Sequence, residues 1–214
     1  MTIRNLLKRV ILAPFAAVFH RPAAIARVAL TFDDGPHPEY TLAASAILKE
    51  AGAKGTFFLI GANVVKYPEV VAKLIEDGHE VASHSMTHPE IRDLPADALA
   101  AEIEAMYQLR LPDGSPVFRQ RFLRPPKGVV TARLVAYCIR HGIRMIFWNI
   151  DPEDYKAESS RQILNRLEQT APGPGDIVLL HDTSRHLVEA LPEVIQRVRA
   201  RGLTPVTVSE LLAA

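Results

Sequence analysis

At 214 residues the chain is long enough to bury one substantial core, and no Gly/Ser-rich or charged linker divides it. Apolar residues at 48% and charged ones at 23% exclude a disordered or fibrous protein. A formal charge of +1 without a basic stripe argues against a nucleic-acid partner, and the lone Cys138 excludes an intrachain disulfide framework or a thiolate zinc site.

Arg4, Lys8 and Arg9 precede an apolar run over residues 10–19, and Ala24-Ile25-Ala26 has the composition of a small-residue cleavage site. The run is too short to span a bilayer and Pro14 interrupts it. Cleavage at 24–26 would cut against a first strand that begins near Val28. Residues 1–26 are therefore read as a basic, apolar helical extension that packs on the domain or touches a membrane surface through residues 1–20. The expected location is cytoplasmic or peripheral to the inner membrane face, with export by an N-terminal signal as the alternative.

The first strand delivers Asp33 and Asp34 to a turn at Gly35-Pro36. Leu42, Ala46, Ile47 and Ala51 recur at helical spacing, which predicts a helix over 40–50 that stops at Gly52. The run 55–60, G-T-F-F-L-I, fits a strand buried on both faces. A turn or helix over 61–66 leads to a helix opened by Pro68, and a short strand covers 79–83. Then come a helix over 94–109, a polar loop over 111–120, a brief strand over 122–124 and a helix over 130–141. A strand over 143–148 and a long loop over 149–156 follow. The chain closes with a helix over 160–169, a strand over 177–180, a helix over 187–200, a strand over 203–206 and a short helix over 208–212. Such alternation means right-handed βαβ crossovers and a parallel sheet. About seven strand-helix units favour a barrel, which gathers the polar strand ends on one face.

Five polar stretches sit at those ends. In T-F-D-D-G-P, neighbouring strand residues point opposite ways, so the two aspartates are expected to take different jobs. If Asp34 turns toward a metal, Asp33 is left as a carboxylate that accepts a proton; a plain Asx turn is the bland alternative. In H-S-M-T-H, His84 and His88 are four apart and would share one face of a single helical turn, letting both imidazoles reach one ion. With Asp34 they form a set that suits zinc, iron, cobalt or nickel and leaves coordination positions open. In R-P-P-K-G, Arg124 could hold Asp33 by two parallel hydrogen bonds, and the rigid turn could aim the Lys127 amide N–H at developing negative charge. In D-P-E-D-Y and I-V-L-L-H-D, a hydrogen bond from Asp154 would favour the imidazolium of His181, which could then act as a general acid. Tyr155 and Trp148 are candidate groove walls, with core packing an equal reading for Trp148. His20, His37, His79, His141 and His186 are assigned no chemistry.

In this order between Thr31 and His181, T-F-D-D-G-P, H-S-M-T-H, R-P-P-K-G, D-P-E-D-Y and L-L-H resemble the motifs of the polysaccharide deacetylases, also called carbohydrate esterase family 4 or the NodB homology domain. The resemblance covers nearly the whole chain after residue 27, so that 27–214 would be the family's domain, a distorted (β/α) barrel. It implies Asp33 as catalytic base and Asp34, His84 and His88 as ligands of a divalent ion, usually zinc. It implies Arg124 as the partner of Asp33, the Lys127 N–H as oxyanion donor, and His181 as catalytic acid tuned by Asp154. Leu179 would line an acetyl pocket, with Tyr155 and Pro126 beside the substrate. The implied activity is metal-dependent removal of N-acetyl groups from an amino-sugar polymer or oligosaccharide. Lys127 stands where the family usually has an aromatic residue, and Tyr155 where it usually has Trp; the lysine weakens the stacking surface and could favour an anionic substrate. The rival readings are deformylation of a lipid-linked amino sugar, a non-haem iron oxygenase, and a carbohydrate-binding module without catalysis.

Overall fold

The computed structural model describes residues 17–20 and 26–213. Eight parallel strands form one curled sheet: β1 (Ala17–Val18), β2 (Arg27–Asp33), β3 (Thr56–Leu59), β4 (Glu80–Ser83), β5 (Phe122–Leu123), β6 (Arg144–Ile146), β7 (Ile177–His181) and β8 (Thr204–Val206). Their order is β1-β6-β5-β4-β3-β2-β7, with β8 also pairing with β2. The helices are α1 (Tyr40–Glu50), α2 (Gly61–Lys66), α3 (Pro68–Glu76), α4 (Ala96–Gln108), α5 (Ala132–Arg140), α6 (Ser160–Thr170), α7 (Arg185–Ala200) and α8 (Val208–Leu212). This is the distorted (β/α) barrel that the alternation predicts.

Ends differ from the sequence reading where a cap decides them. Thr131 accepts from Leu134 N–H, so α5 begins two residues later than expected, whereas Ser184 caps Leu187 and starts α7 two residues earlier. A larger difference is β1. Ala17 and Val18 fall inside the expected helical extension, yet they pair with Met145 and Ile146, and Phe19 stacks on Phe147 at 4.5 Å. Two residues are too few to carry a period, so nothing in the sequence marked them as strand. Residues 1–16 and 21–25 of that extension, with most of its cleavage-like stretch, lie outside the described residues.

Alternation along the strands decides what faces inward. Ala29, Phe58, Ala82, Phe122, Ile146, Ile177 and Val206, one from each of β2 to β8, pack with Val208 and Leu211 of α8 as a cluster that fills the barrel. The intervening residues, such as Leu30, Phe32, Phe57, Leu59, Val178 and Leu180, bury themselves under α1, α3, α6 and α7. A second outer cluster joins Leu123, Met145 and Phe147 to α4 and α5; it contains Cys138, whose thiol burial pushes up to about 12. Counting upward in twos from the inner cluster reaches Thr31 and Asp33 on β2, His84 beyond β4, Arg124 beyond β5, and Leu179 and His181 on β7. The period that packs the core thus points the chemistry into the mouth of the barrel.

Candidate active site

Arg124 is fully buried, tolerable for a cation only when it is paired and its donors are satisfied. Its Nη1 donates to Asp33 Oδ1 at 2.6 Å and to Thr31 Oγ1 at 2.9 Å, Nε to the Ile146 carbonyl at 3.2 Å, and Nη2 to the Phe147 carbonyl at 3.1 Å. The expected fork of two parallel bonds to Asp33 is therefore not formed. The end of β6 and the residue after it turn two carbonyls toward Nε and Nη2, leaving Asp33 Oδ2 unengaged by Arg124. Burial lowers the Arg124 pKa from its ordinary value, against the pull of Asp33.

Asp33 and Asp34 do not separate by strand alternation. Asp34 has left the strand at φ 74°, and this left-handed backbone brings both carboxylates to one cavity. Their partners separate them instead. Asp34 Oδ1 is buried without a hydrogen-bond partner, 3.4 Å from His84 Nε2 and 3.6 Å from His88 Nε2. Asp33 Oδ2 lies 3.7 Å from His84 Nε2.

The H-S-M-T-H stretch is not the helical turn its spacing predicts. Ser85 and His88 both take positive φ, 68° and 56°, and the Ser85 hydroxyl accepts the His88 N–H at 3.1 Å. Thr87 donates its N–H and hydroxyl to Glu102 of α4 at 2.9 and 2.8 Å. The histidines still converge, with ring centroids 5.0 Å apart. His84 Nδ1 donates to the Arg124 carbonyl at 2.8 Å, which leaves the Nε2 lone pair toward Asp34.

Asp34, His84 and His88 each offer one ligand atom, all within 4.8 Å of one another. Donors ~2.0–2.2 Å from a tetrahedral centre lie roughly 3.3–3.6 Å apart, so the 3.4 and 3.6 Å separations fit a shared ion. The orphaned Asp34 oxygen points the same way. Burial, then the neighbouring His84, lowers the His88 pKa from its ordinary value and so disfavours the imidazolium. Burial opposes ionisation of Asp34, but His84, His181 and His88 outweigh it and lower its pKa. Two imidazoles and a carboxylate are the donor set that catalytic zinc takes.

Across the cavity, β2 and β7 pair so that Asp33 stands opposite His181. Asp154 accepts the His181 backbone N–H at 2.7 Å through Oδ2 and the Nδ1–H at 2.9 Å through Oδ1. Burial disfavours the imidazolium, yet the hydrogen bond and charge of Asp154, helped by Asp33 and Asp34, push His181 up to about 9. Tyr155 is 56% exposed and meets the His181 ring edge-on at 5.2 Å.

A cleft of about 310 Å³ joins Asp33, Asp34, His84, His88, Lys127, Tyr155, Leu179 and His181. Arg124 and Asp154 stand behind it as supports. Pro126, expected beside the substrate, does not line the cleft; it is buried in the turn Pro126–Gly128, where it shapes the backbone of Lys127 at φ 54°. The Lys127 ammonium is tied to Glu90 at 2.9 Å, so the free cation that would favour an anionic substrate is already paired.

Trp148 both lines the cleft and packs on the outer cluster, joining its two readings. Asp151 also lines the cleft and was missed; burial raises its pKa and its Oδ1 accepts the Glu153 N–H at 2.8 Å. Its signal was in D-P-E-D, where Asp154 alone was chosen. His79 has the bland role expected of it, with Nδ1 accepting from the Gly55 N–H at 3.3 Å.

Residues 20–146 match the polysaccharide deacetylase family. The chain belongs to that family. It is 31% identical over 203 residues to a peptidoglycan-N-acetylglucosamine deacetylase of Bacillus cereus, covering 92% of this chain and 72% of that one. A chitooligosaccharide deacetylase of a Bradyrhizobium species is 34% identical over 190 residues, covering 82% of this chain and 85% of that one. The crystal structure of a peptidoglycan N-acetylglucosamine deacetylase in complex with a naphthalenyl N-oxidanyl-benzamide superposes with a TM-score of 0.87 at 28% identity, covering 95% of each chain. These matches bear out the resemblance carried by the five motifs. The family match ends at residue 146, before Asp154 and His181, and the β2–β7 register brings that acid–histidine pair to this polysaccharide deacetylase's cavity.

Proposed function

We propose that the protein hydrolyses the amide of N-acetyl groups on amino sugars within a polymer or oligosaccharide, as a metal-dependent carbohydrate N-deacetylase. The observation that carries this reading is one cavity holding a three-residue ligand set, a carboxylate outside that set and a separate raised-pKa histidine. Asp34, His84 and His88 would hold a divalent ion, zinc by preference; when bound, such an ion polarises the amide carbonyl and lowers the pKa of water.

Asp33 is the base. Arg124 occupies its Oδ1, so Oδ2 takes the proton from the attacking water. The Lys127 N–H donates to the oxygen on which charge develops, within a turn held by Gly128 N–H to Pro125 O and Val129 N–H to Pro126 O. An amine leaves poorly as an anion, so an acid must deliver a proton as the C–N bond breaks. His181 does so from Nε2, since Asp154 holds Nδ1 and keeps the ring charged at neutral pH. Leu179, buried at the cleft wall, offers an apolar seat for the acetyl methyl, and Tyr155 and Trp148 offer ring faces to the sugar. A basic, apolar N-terminal extension that brings the enzyme to the inner face of the membrane, or else directs its export, remains part of this proposal.

The test is acetate release from N-acetylated peptidoglycan fragments and chitooligosaccharides, beside formylated sugars, before and after chelation. Acetate that disappears with chelator and returns with zinc is the expected result. Formate release alone would turn the reading to the deformylase, and metal-replete protein that releases neither would reject it.

A further inference from the structure

Asp182 follows His181 and has no part in the chemistry above. It does not line the cleft, and it is fully buried. Asp33 pairs with His181 across β2 and β7, so Asp182 stands level with the Asp34-Gly35 turn. The Thr41 hydroxyl in the first turn of α1 donates to Asp182 Oδ2, and that hydroxyl oxygen itself accepts the His37 N–H at 2.7 Å. Asp182 Oδ1 has no hydrogen-bond partner.

The Asp182 carboxyl fills the space that a side chain at Gly35 would need. A Cβ placed on Gly35 would lie 2.7 Å from Oδ2, 2.9 Å from Oδ1 and 3.2 Å from Cγ of Asp182. Gly35 is not among the glycines with positive φ, so this contact, rather than the backbone conformation, is what demands glycine. The opposite side of the turn is held from the start of α2, with Ile60 N–H donating to Gly35 O at 2.9 Å and Asn63 Nδ2 to Asp34 O at 3.1 Å. Between these two braces sits Asp34 at φ 74°, a left-handed conformation that persists for a non-glycine residue only where the surroundings enforce it.

We propose that Asp182 is a positioning residue for the metal site: braced by Thr41, its carboxyl presses on Gly35 and fixes the turn that aims Asp34 at His84 and His88. The proposal rests on reading those three residues as ligands, and it adds a residue outside the cleft that sets their geometry.

The experiment titrates zinc into metal-free protein by calorimetry, well below the unfolding temperature, which is recorded for each variant. Asp182→Ala should weaken zinc binding by about 10–100-fold, whereas Asp182→Asn, of equal shape and still able to accept from Thr41, should stay within about threefold of wild type. Gly35→Ala should weaken binding in the wild-type background and lose most of that effect beside Asp182→Ala, because the clash is gone. Zinc binding by Asp182→Ala equal to wild type, whatever its unfolding temperature, would overturn the proposal. Asn as weak as Ala, or strict additivity in the double variant, would do the same. Should Asp182→Ala fail to fold, Gly35→Ala decides alone, and wild-type affinity there refutes the contact. Wild-type protein that takes up no zinc would instead reject the ligand set itself.

Discussion

The two ends of the barrel bend the chain through the same left-handed conformation with different residues. Where helices return to strands, positive φ falls on Gly52, Gly78, Gly142, Gly175 and Gly202. At Gly52, Gly78, Gly142 and Gly202 an added Cβ would meet nothing within 4 Å, so backbone conformation alone selects glycine there. Where strands give way to helices, positive φ falls, among the described residues, on Asp34, Ser85, His88, Lys127 and Glu153, and on a single glycine, Gly128. Each such non-glycine residue costs about 1–3 kcal/mol. Asp34 and His88 must keep their side chains to serve as the proposed ligands, so the site end carries strain that the opposite end avoids. Ala171, at φ 46° after α6, is the exception at the quiet end.

The sharpest test of that division changes the chemistry of one side chain while leaving the backbone alone. Asp33→Asn should lower acetate release by about 10²–10⁴-fold with metal content unchanged, measured by acetate assay beside metal analysis. Full turnover in that variant would end the base assignment.

His88→Gly should abolish metal uptake and turnover yet stabilise the metal-free protein by about 1 kcal/mol, because glycine accepts φ 56° without strain. The urea midpoint checks it, and a fall in stability would break the contrast between the ends.

Asp154→Asn should move the pH profile. In the parent protein the form of the proposed acid His181 that can donate is the protonated one, so kcat/KM should fall as pH rises through the folded pKa, about 9 in the metal-free protein. A bound cation offsets the share contributed by Asp33 and Asp34, so this limb lies below 9 in the loaded enzyme. Without Asp154 the burial that opposes the charge is left, and the limb shifts further toward acid by an amount the profile measures directly.

The smallest effect belongs to the quiet end. Gly142→Ala should cost about 1 kcal/mol in the urea midpoint with kcat/KM unaltered, since the strained turn is remote from the cleft. A loss of activity there would mean that the two ends are coupled.

Most of the barrel was legible because period-two alternation and glycine stops are local signals. Their place at strand ends, which a barrel gathers on one face, marked Asp33, Arg124 and His181 as neighbours. What escaped depends on backbone excursions and distant partners. The sharp kinks at Asp34, Ser85 and His88 defeat spacing rules built on regular strands and helices. The carbonyls of Ile146 and Phe147 that claim Arg124, and the Glu90 that claims Lys127, are remote in sequence from the motifs they alter. β1 is only two residues long, and Asp151 was overshadowed by the neighbouring acid.

Arg124 reaches both halves of the site at once, its guanidinium gripping Asp33 and its carbonyl accepting the Nδ1–H of His84. The spacing between the proposed proton acceptor and the proposed ligand ring is thus governed by a single hub, and neither can drift without the other. Such a linkage holds tolerances of a fraction of an ångström, as a reaction of this kind demands. It also means that dislodging one buried arginine would silence both functions together, an all-or-none failure rather than a graded one.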